Sequence, residues 1–428
     1  MLHLELHIGC SPSALRKLEA QLQTKIIAYE QEQSNACHSE EAIGISVGAD
    51  ETFFGLPILV AVELASGFIF REVVCENRTY ATWWQEGSRW FNPEQWTGHF
   101  MVSDGAKALI KVALSGLKCP HVPDVFHLLQ ALSKSMGTAI ALGRVRLQQQ
   151  QKTLMTQSSP HAQAQLIAVQ EHQVQLETDH QDYQHSLRAL SQSIHPFEID
   201  TGQSKMGIEL QDHLQPHLLV LERLAQVYAP TKSQAALERW KRQLPGLSGI
   251  IHAWWLWVLQ ALSAQTQDTQ IQNWVLNAVL PWVSWHQQTQ KTRQPHLKQG
   301  YQKAASKAHK RFLAAPLTQT LSKSQQQQWL DWAIGMCAKF QRTSSAVEGR
   351  NGYLSGLHHS NRGFTKQSLK VLTIIHNFDL KRDDGTTAAQ RLFEKPFPNL
   401  FEWVLPQMPE LPRPRRTLKT PKSKKPTL

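Results

Sequence analysis

Strand patterning fills one stretch of this chain and then stops, and that change limits the fold more than any single motif. From 41 to about 143, apolar residues alternate with period two or gather in short runs, in "GISVGADETFF", "GLPILVAVELASGFIF", "FREVV", "HFMVSD" and "CPHVPDV". Helical stretches around Trp83 and Trp84, in "AKALIKVALSGL" and in "FHLLQALSKSM", separate or follow them. From about 144 to 335 the strand signal is gone. Leu166, Val169, Leu176, Tyr183, Leu187, Leu190 and Ile194 recur at spacings of three, four and seven, which predicts a long amphipathic helix, and Pro160 divides it from the helix before it, giving an antiparallel pair. The Trp-dense run from Trp254 to Trp285 reads as helical core. Helix continues in "QQQQWLDWAIGMCAKFQR" and returns in "TKQSLKVLTIIHNFDL". The expected layout is α/β: a helical segment over 1–40, an α/β core in two parts at 41–143 and 336–395, an all-helical block at 144–335 between them, and a basic, proline-rich tail at 396–428.

A chain of 428 residues with 41% hydrophobic content is long enough for two or three domains with a large core. Cys10, Cys37, Cys75, Cys119 and Cys337 are an odd, scattered set without a C-x-x-C pair, which argues against a disulfide framework and against a cysteine-rich zinc site. Met1 is not followed by a signal-peptide pattern, and "GIIHAWWLWVLQALSA" reads as too short and too interrupted to span a bilayer, so a cytoplasmic protein is expected. The charge balance points to a polyanionic partner, with a formal net charge of +11 and a pI near 9.4. No acid lies between Asp268 and Asp331, whereas Lys303, Lys307, Lys310 and Arg311 follow helical spacing and would form a basic stripe able to neutralise phosphates. The tail "LPRPRRTLKTPKSKKPTL" adds further basic residues and no acid, and its prolines read as a flexible arm. Near the start, "LHIGCSPSALRKLEAQL" reads as a turn ending in Ser11 and then a short helix, the shape of the second half of a helix-turn-helix.

The first strand ends at acids. Ile43, Ile45, Val47 and Ala49 alternate with Gly44, Ser46, Gly48 and Asp50, so Asp50 shares a face with the smallest residues of the strand, which leaves room beside its carboxylate for a metal ion or a nucleotide. A turn acid closing a hairpin is the ordinary reading. Glu51 points to the opposite face. Asp104 in "MVSDGAKALI" repeats the device, and two strand-end acids in one sheet could meet. A third carboxylate, Glu348 in "RTSSAVEGRNGYL", stands at the start of a helix after the helical block, where Ser345 and Glu348 also fit a capping box. "PDVFHLLQAL" places Asp124 and His127 as D-x-x-H between the second and third acids. Taken singly each piece is ordinary; their order and context carry the inference.

In that order, strand acid, strand acid and late helix acid with a D-x-x-H between them, the chain resembles the DDE transposases of insertion sequences that carry a helical insertion and a C/D-x-x-H motif. The resemblance covers roughly 41–143 and 336–395. It implies an RNase H-like fold with a mixed five-stranded sheet, metal-dependent cleavage and strand transfer of double-stranded DNA at element ends and target, a homo-oligomer on DNA, and association with the nucleoid. It implies that Asp50, Asp104 and Glu348 hold two Mg²⁺ ions, with Mn²⁺ able to substitute, and that Asp50 bridges them. Hard divalent ions suit carboxylates, and a pair of them can hold the attacking and leaving oxygens of an in-line displacement at phosphorus. His127 would lie beside the site, its neutral ring orienting water or contacting phosphate, or would merely cap and pack. Arg350 and Asn351 would reach the DNA backbone. Such transposases usually carry a complete N-terminal DNA-binding domain; the short segment before the first acidic strand reads as a truncation. The alternative, from another class, is a catalytically inactive or domesticated transposase-derived protein that only binds DNA.

Overall fold

The computed structural model describes residues 12–39, 41–360 and 363–409. These residues gather into two compact units, Glu41–Gly356 and a second built from the described residues before 41 with those after 356. Cys10 and the turn expected to end at Ser11 lie outside the described residues. The basic tail expected over 396–428 is folded at its start, where the helix Leu400–Val404 buries Leu400 and Val404 because those residues are apolar, and from 410 onward it too lies outside the described residues.

The larger unit holds a five-stranded mixed sheet, so the α/β class is observed. Its strands are β1 (Ile43–Phe54), β2 (Leu56–Glu63), β3 (Ile69–Val74), β4 (Trp96–Ser103) and β5 (His121–Pro123), in the order β3-β2-β1-β4-β5. β1 and β2 form a hairpin that turns at Gly55, whose φ of 85° belongs to the left-handed region open to glycine. β2 pairs antiparallel with β3, whereas β4 runs parallel to β1, and β5 parallel to β4. β1 is central and is covered on both sides. Val47 and Ala49, with Leu59, Ala61 and Met101, meet Trp83 of the helix Tyr80–Gly87 and also Val112 and Leu117. The small-residue face is covered too. A Cβ added at Gly44 would sit 2.9 Å from Trp257, and one at Gly48 would sit 2.9 Å from Val347. The small residues of β1 therefore admit close-packed helices, where the sequence suggested open room for a ligand.

Every helix or strand element from Thr138 to Ala338 is helical, apart from an isolated bridge between Phe197 and Ser204. The helices Thr138–Met155 and Pro160–Ser193 pack antiparallel: Leu176 lies against Gly143, Gln173 bonds Gln151, and Leu154 packs with Ala162 and Val169. Pro160 opens the second of them, as a first-turn proline can. Trp240, Trp254 and Trp285 are fully buried, and Trp255, Trp257 and Trp274 are nearly so, so the tryptophans are core. The apolar run around them is longer than its sequence suggested. It belongs to one helix, Pro230–Gln265, whose segment Thr231–Gln265 is by length and composition able to cross a membrane, with 44% of its most apolar window buried. Here that helix lies on the sheet: Gly246 meets Pro123, Trp257 stacks on His99 of β4, and Trp254 donates to the Met336 carbonyl at 2.9 Å.

In the second unit, the helix Pro12–Gln33 is longer than the short helix expected there. Its Tyr29 is fully buried against Phe378 and Trp403 and donates to the Pro398 carbonyl at 2.6 Å.

Candidate active site

The register of the sheet brings the acids together. β1 and β4 run parallel with Gly48 opposite Val102, and each reaches its acid two residues further on, Asp50 within β1 and Asp104 just past the end of β4. β4 and β5 run parallel with Ser103 opposite Pro123, and Asp104 and Asp124 each follow directly. Asp104 and Asp124 thus follow the carboxyl ends of two neighbouring parallel strands, the edge at which open α/β sheets build their sites, whereas Asp50 lies inside β1. That strand does not end at the acids as its sequence suggested but runs on to Phe54, because its last residues pair with β2. Glu348 comes from the helix Ser345–His359, seated on β1 where Val347 fills the space left by Gly48.

Asp50 is half-buried, and its carboxylate accepts a hydrogen bond from Asn351 Nδ2 at 3.1 Å. Burial pushes its pKa up to about 7, against a backbone hydrogen bond that lowers it, and the nearby charges of Glu348, Glu51 and Asp104 push the same way as burial. Asp50, Asp104 and Glu348 therefore share one electrostatic site. Asp104 caps its own loop, accepting from the Ala106 N–H at 2.9 Å, while its main-chain carbonyl accepts from the Arg239 guanidinium of the helix Pro230–Gln265. Glu51 does turn elsewhere, accepting from Trp83 Nε1 at 3.1 Å with Arg78 at 3.8 Å.

His127 links the group. Its Nε2 lies 3.2 Å from Glu348 Oε1, and its Nδ1 lies 3.3 Å from Asp124 Oδ2 without the alignment of a good hydrogen bond. The contact with Asp124 raises the pKa of the ring, burial opposes that, and the charges of Asp124, Glu348 and Asp50 add to the rise. Asp124 is 1% exposed and caps the helix Val125–Leu132. Burial works against its ionisation, but the His127 ring and the Ser344 hydroxyl and N–H outweigh it and hold the carboxyl below its ordinary range.

Two of the residues expected to meet DNA are engaged elsewhere. Arg350 faces inward, its guanidinium held bidentate by Glu72 of β3 at 2.7 Å for each bond, with 3% and 0% of the two side chains exposed. This corrects the reading of Arg350 as a phosphate contact, because an arginine so paired has no fork left to offer. Asn351 stands beside the acids, one helical turn after Glu348 on the same face, and its Oδ1 is buried without a hydrogen-bond partner. Lys303, Lys307, Lys310 and Arg311 are all exposed on the helix Pro295–Ala314, whose opposite side buries Tyr301, Ala304, Ala308 and Phe312; Arg311 also donates to the Thr201 carbonyl.

The donor set suits a hard divalent cation. Asp50, Asp104 and Glu348 offer only oxygen, the orphaned Asn351 Oδ1 is a neutral amide oxygen beside them, and the burial of Asp50 together with its acidic neighbours is what a cation would offset. Among the described residues no three His, Cys, Asp or Glu side chains are gathered closely enough to ligate one ion. Each acid is instead held by a protein group: Asp50 by Asn351, Asp104 by Ala106 and Glu348 by His127.

Residues 275–420 match a family of unknown function (DUF6399). That stretch contains Glu348 and the basic helix and leaves Asp50, Asp104, Asp124 and His127 outside it. No curated protein matches the chain.

Proposed function

We propose that the protein is a DDE-type transposase, with an RNase H-like core interrupted by a helical insertion, that cuts double-stranded DNA and joins the freed end to a target. The observation that carries this reading is that Asn351, one turn after Glu348 on the same helix, holds the Asp50 carboxylate at 3.1 Å, with Asp104 directly following the neighbouring parallel strand. Asp50, Asp104 and Glu348 would hold one or two Mg²⁺ ions, or Mn²⁺ in their place, and such ions supply charge stabilisation to the attacking and leaving oxygens of an in-line displacement. Asp50, central in the group, is the acid best placed to be shared. His127 fixes the Glu348 carboxylate, its Nε2 lying 3.2 Å from Oε1. Asn351 orients the Asp50 carboxylate. Lys303, Lys307, Lys310 and Arg311 hold the duplex backbone without reading its bases.

The test uses the full chain with Mg²⁺ and the end DNA of its own element. Asp50→Asn is expected to leave DNA binding intact and to abolish nicking and strand transfer. An Asp50→Asn protein that cleaves as fast as wild type refutes the mechanism. A wild type that binds this DNA and never cleaves it favours the non-catalytic DNA-binding protein, which the acid-free basic helix would serve equally well.

A further inference from the structure

We propose that Asp124 is a positioning residue, a buried pin that ties the helix carrying His127 to the helix carrying Glu348 and thereby sets where Glu348 stands. The inference rests on the reading of Glu348 as an active-site acid.

A helix cap needs one carboxylate oxygen, and Asp124 uses one: Oδ1 accepts the N–H groups of Phe126 at 2.7 Å and of His127 at 3.3 Å. The other oxygen goes to a residue 220 positions away. Oδ2 accepts the Ser344 N–H at 2.8 Å and also the Ser344 hydroxyl, and Ser344 is itself 1% exposed. Ser344 immediately precedes the helix Ser345–His359, and its carbonyl accepts the Glu348 N–H at 3.0 Å. A parallel bond runs from the Val125 N–H to the Arg342 carbonyl at 3.1 Å.

The contacts therefore close a ring. From Asp124 one path reaches the Glu348 backbone through Ser344, and the other reaches the Glu348 carboxylate through His127, with 3.3 Å and 3.2 Å between the charged groups. Both oxygens of Asp124 are engaged and the residue is buried, so it touches neither substrate nor ion. Its place in the chain gives the pin its purpose. Asp124 precedes the all-helical stretch and Ser344 follows it, so the bond joins the two points at which the chain leaves the sheet region and returns. It adds a buried side-chain tie to the Val125–Arg342 backbone bond and the direct His127–Glu348 contact. A buried, charge-assisted hydrogen bond is strong enough for that duty.

Two variants separate this role from simple capping. Asp124→Asn keeps an oxygen for the cap but can turn an amide N–H toward the Ser344 N–H, breaking the pin. Ser344→Ala removes one pin bond and leaves the cap untouched. Each is first checked for native circular dichroism under assay conditions. With the element-end DNA, Asp124→Asn should lower the turnover rate by tenfold or more with the dissociation constant for DNA within twofold of wild type, and Ser344→Ala should do the same more mildly. A second readout needs no activity. The destabilisations caused by His127→Ala and Glu348→Gln in urea unfolding should be non-additive in the wild-type background; this coupling should shrink in Ser344→Ala, which keeps the N–H bond to Oδ2, and shrink further in Asp124→Asn. If the coupling is unchanged in both backgrounds, the pin is overturned. A wild type without nuclease activity would sink the transposase reading, while the unfolding cycle would still decide the positioning role.

Discussion

Gly48 is the position at which a single methyl group should move the third acid. A Cβ built there would lie 2.5 Å from Leu64 Cδ2 and 2.9 Å from Val347 Cγ2, against 3.4 Å or more for ordinary contact. Leu64 can swing its terminal methyl aside. Val347 cannot, because a β-branched side chain in a helix has one good rotamer and this one is fully buried. In Gly48→Ala the helix Ser345–His359 must therefore rise from β1 by about half an ångström at the residue next to Glu348, the gap between the built contact and an ordinary one. Overpacking of this kind costs about 1–3 kcal/mol. Misplacement on the order of 1 Å can cost about a hundredfold in rate, so half that shift should still cost severalfold to tenfold in turnover. The assay is urea unfolding at fixed pH together with nicking of element-end DNA, and Val347→Ala is placed in the same background to make room. Recovery of both quantities in the double variant is expected. Gly48→Ala as stable and as active as wild type, or a Val347→Ala change that adds its own loss without compensation, would show that the helix is not seated through this contact.

Three further outcomes follow from the geometry. Changing Lys303, Lys307, Lys310 and Arg311 together to glutamine should weaken binding to all duplexes alike and reduce the slope of log affinity against log salt by about 3 to 4, one unit or slightly less per lost phosphate contact, measured by fluorescence anisotropy across a salt series; an unchanged slope removes the helix from the interface. Glu72→Gln should destabilise the fold by about 3–5 kcal/mol in urea unfolding, because it leaves the buried Arg350 guanidinium without its counter-charge; a near-neutral effect would mean that water reaches the guanidinium. Burial lowers the pKa of both His99 and His121 to about 4, so the unfolded chain binds more protons than the folded one between there and about 6.5, and stability should be full above that range and fall as pH drops through it; a flat urea midpoint over that window would contradict it.

The strands were legible because period-two patterning fixes the face of a strand, and for Asp104 it fixed the end as well. For Asp50 it gave the face but not the end, because β1 runs on to Phe54 in its hairpin with β2. Their adjacency depended on the parallel register of β1 with β4, which a sequence does not state. Glu348 was found by its place after the helical block, but its seat was not, since that depends on Val347 meeting a glycine on another element. The same glycine misled in the other direction: small residues read as room for a ligand, and a helix occupies the room. Arg350 was misread because an arginine near acids is by default an exposed cation, and its partner Glu72 lies 278 residues earlier on β3. Asp124 was legible as half of a motif and not as a pin, because Ser344 carries no pattern of its own.

Around the acids the fold spends its positive charge elsewhere. Arg350 is committed to Glu72, Arg78 approaches Glu51, and Arg239 meets the main-chain carbonyl of Asp104 in place of its carboxylate. Among the described residues neither Asp50 nor Asp104 forms an ion pair with lysine or arginine, and Glu348 has only His127. Burial and the neighbouring acids raise the pKa of Asp50 to about 7, and like charges held together in this way work against the folded state. A protein that only gripped duplex DNA would be better served by turning Arg239 or Arg350 onto these carboxylates, since bare carboxylates repel phosphate. The uncompensated charge is intelligible if something positive is meant to enter, and the all-oxygen donors around it, with the orphaned Asn351 Oδ1 beside them, are the groups that a hard divalent cation prefers. The pin at Asp124, the packing at Gly48 and the Arg350–Glu72 pair each fix the helix that carries Glu348, or the residue just before it, against the strands and the helix of His127.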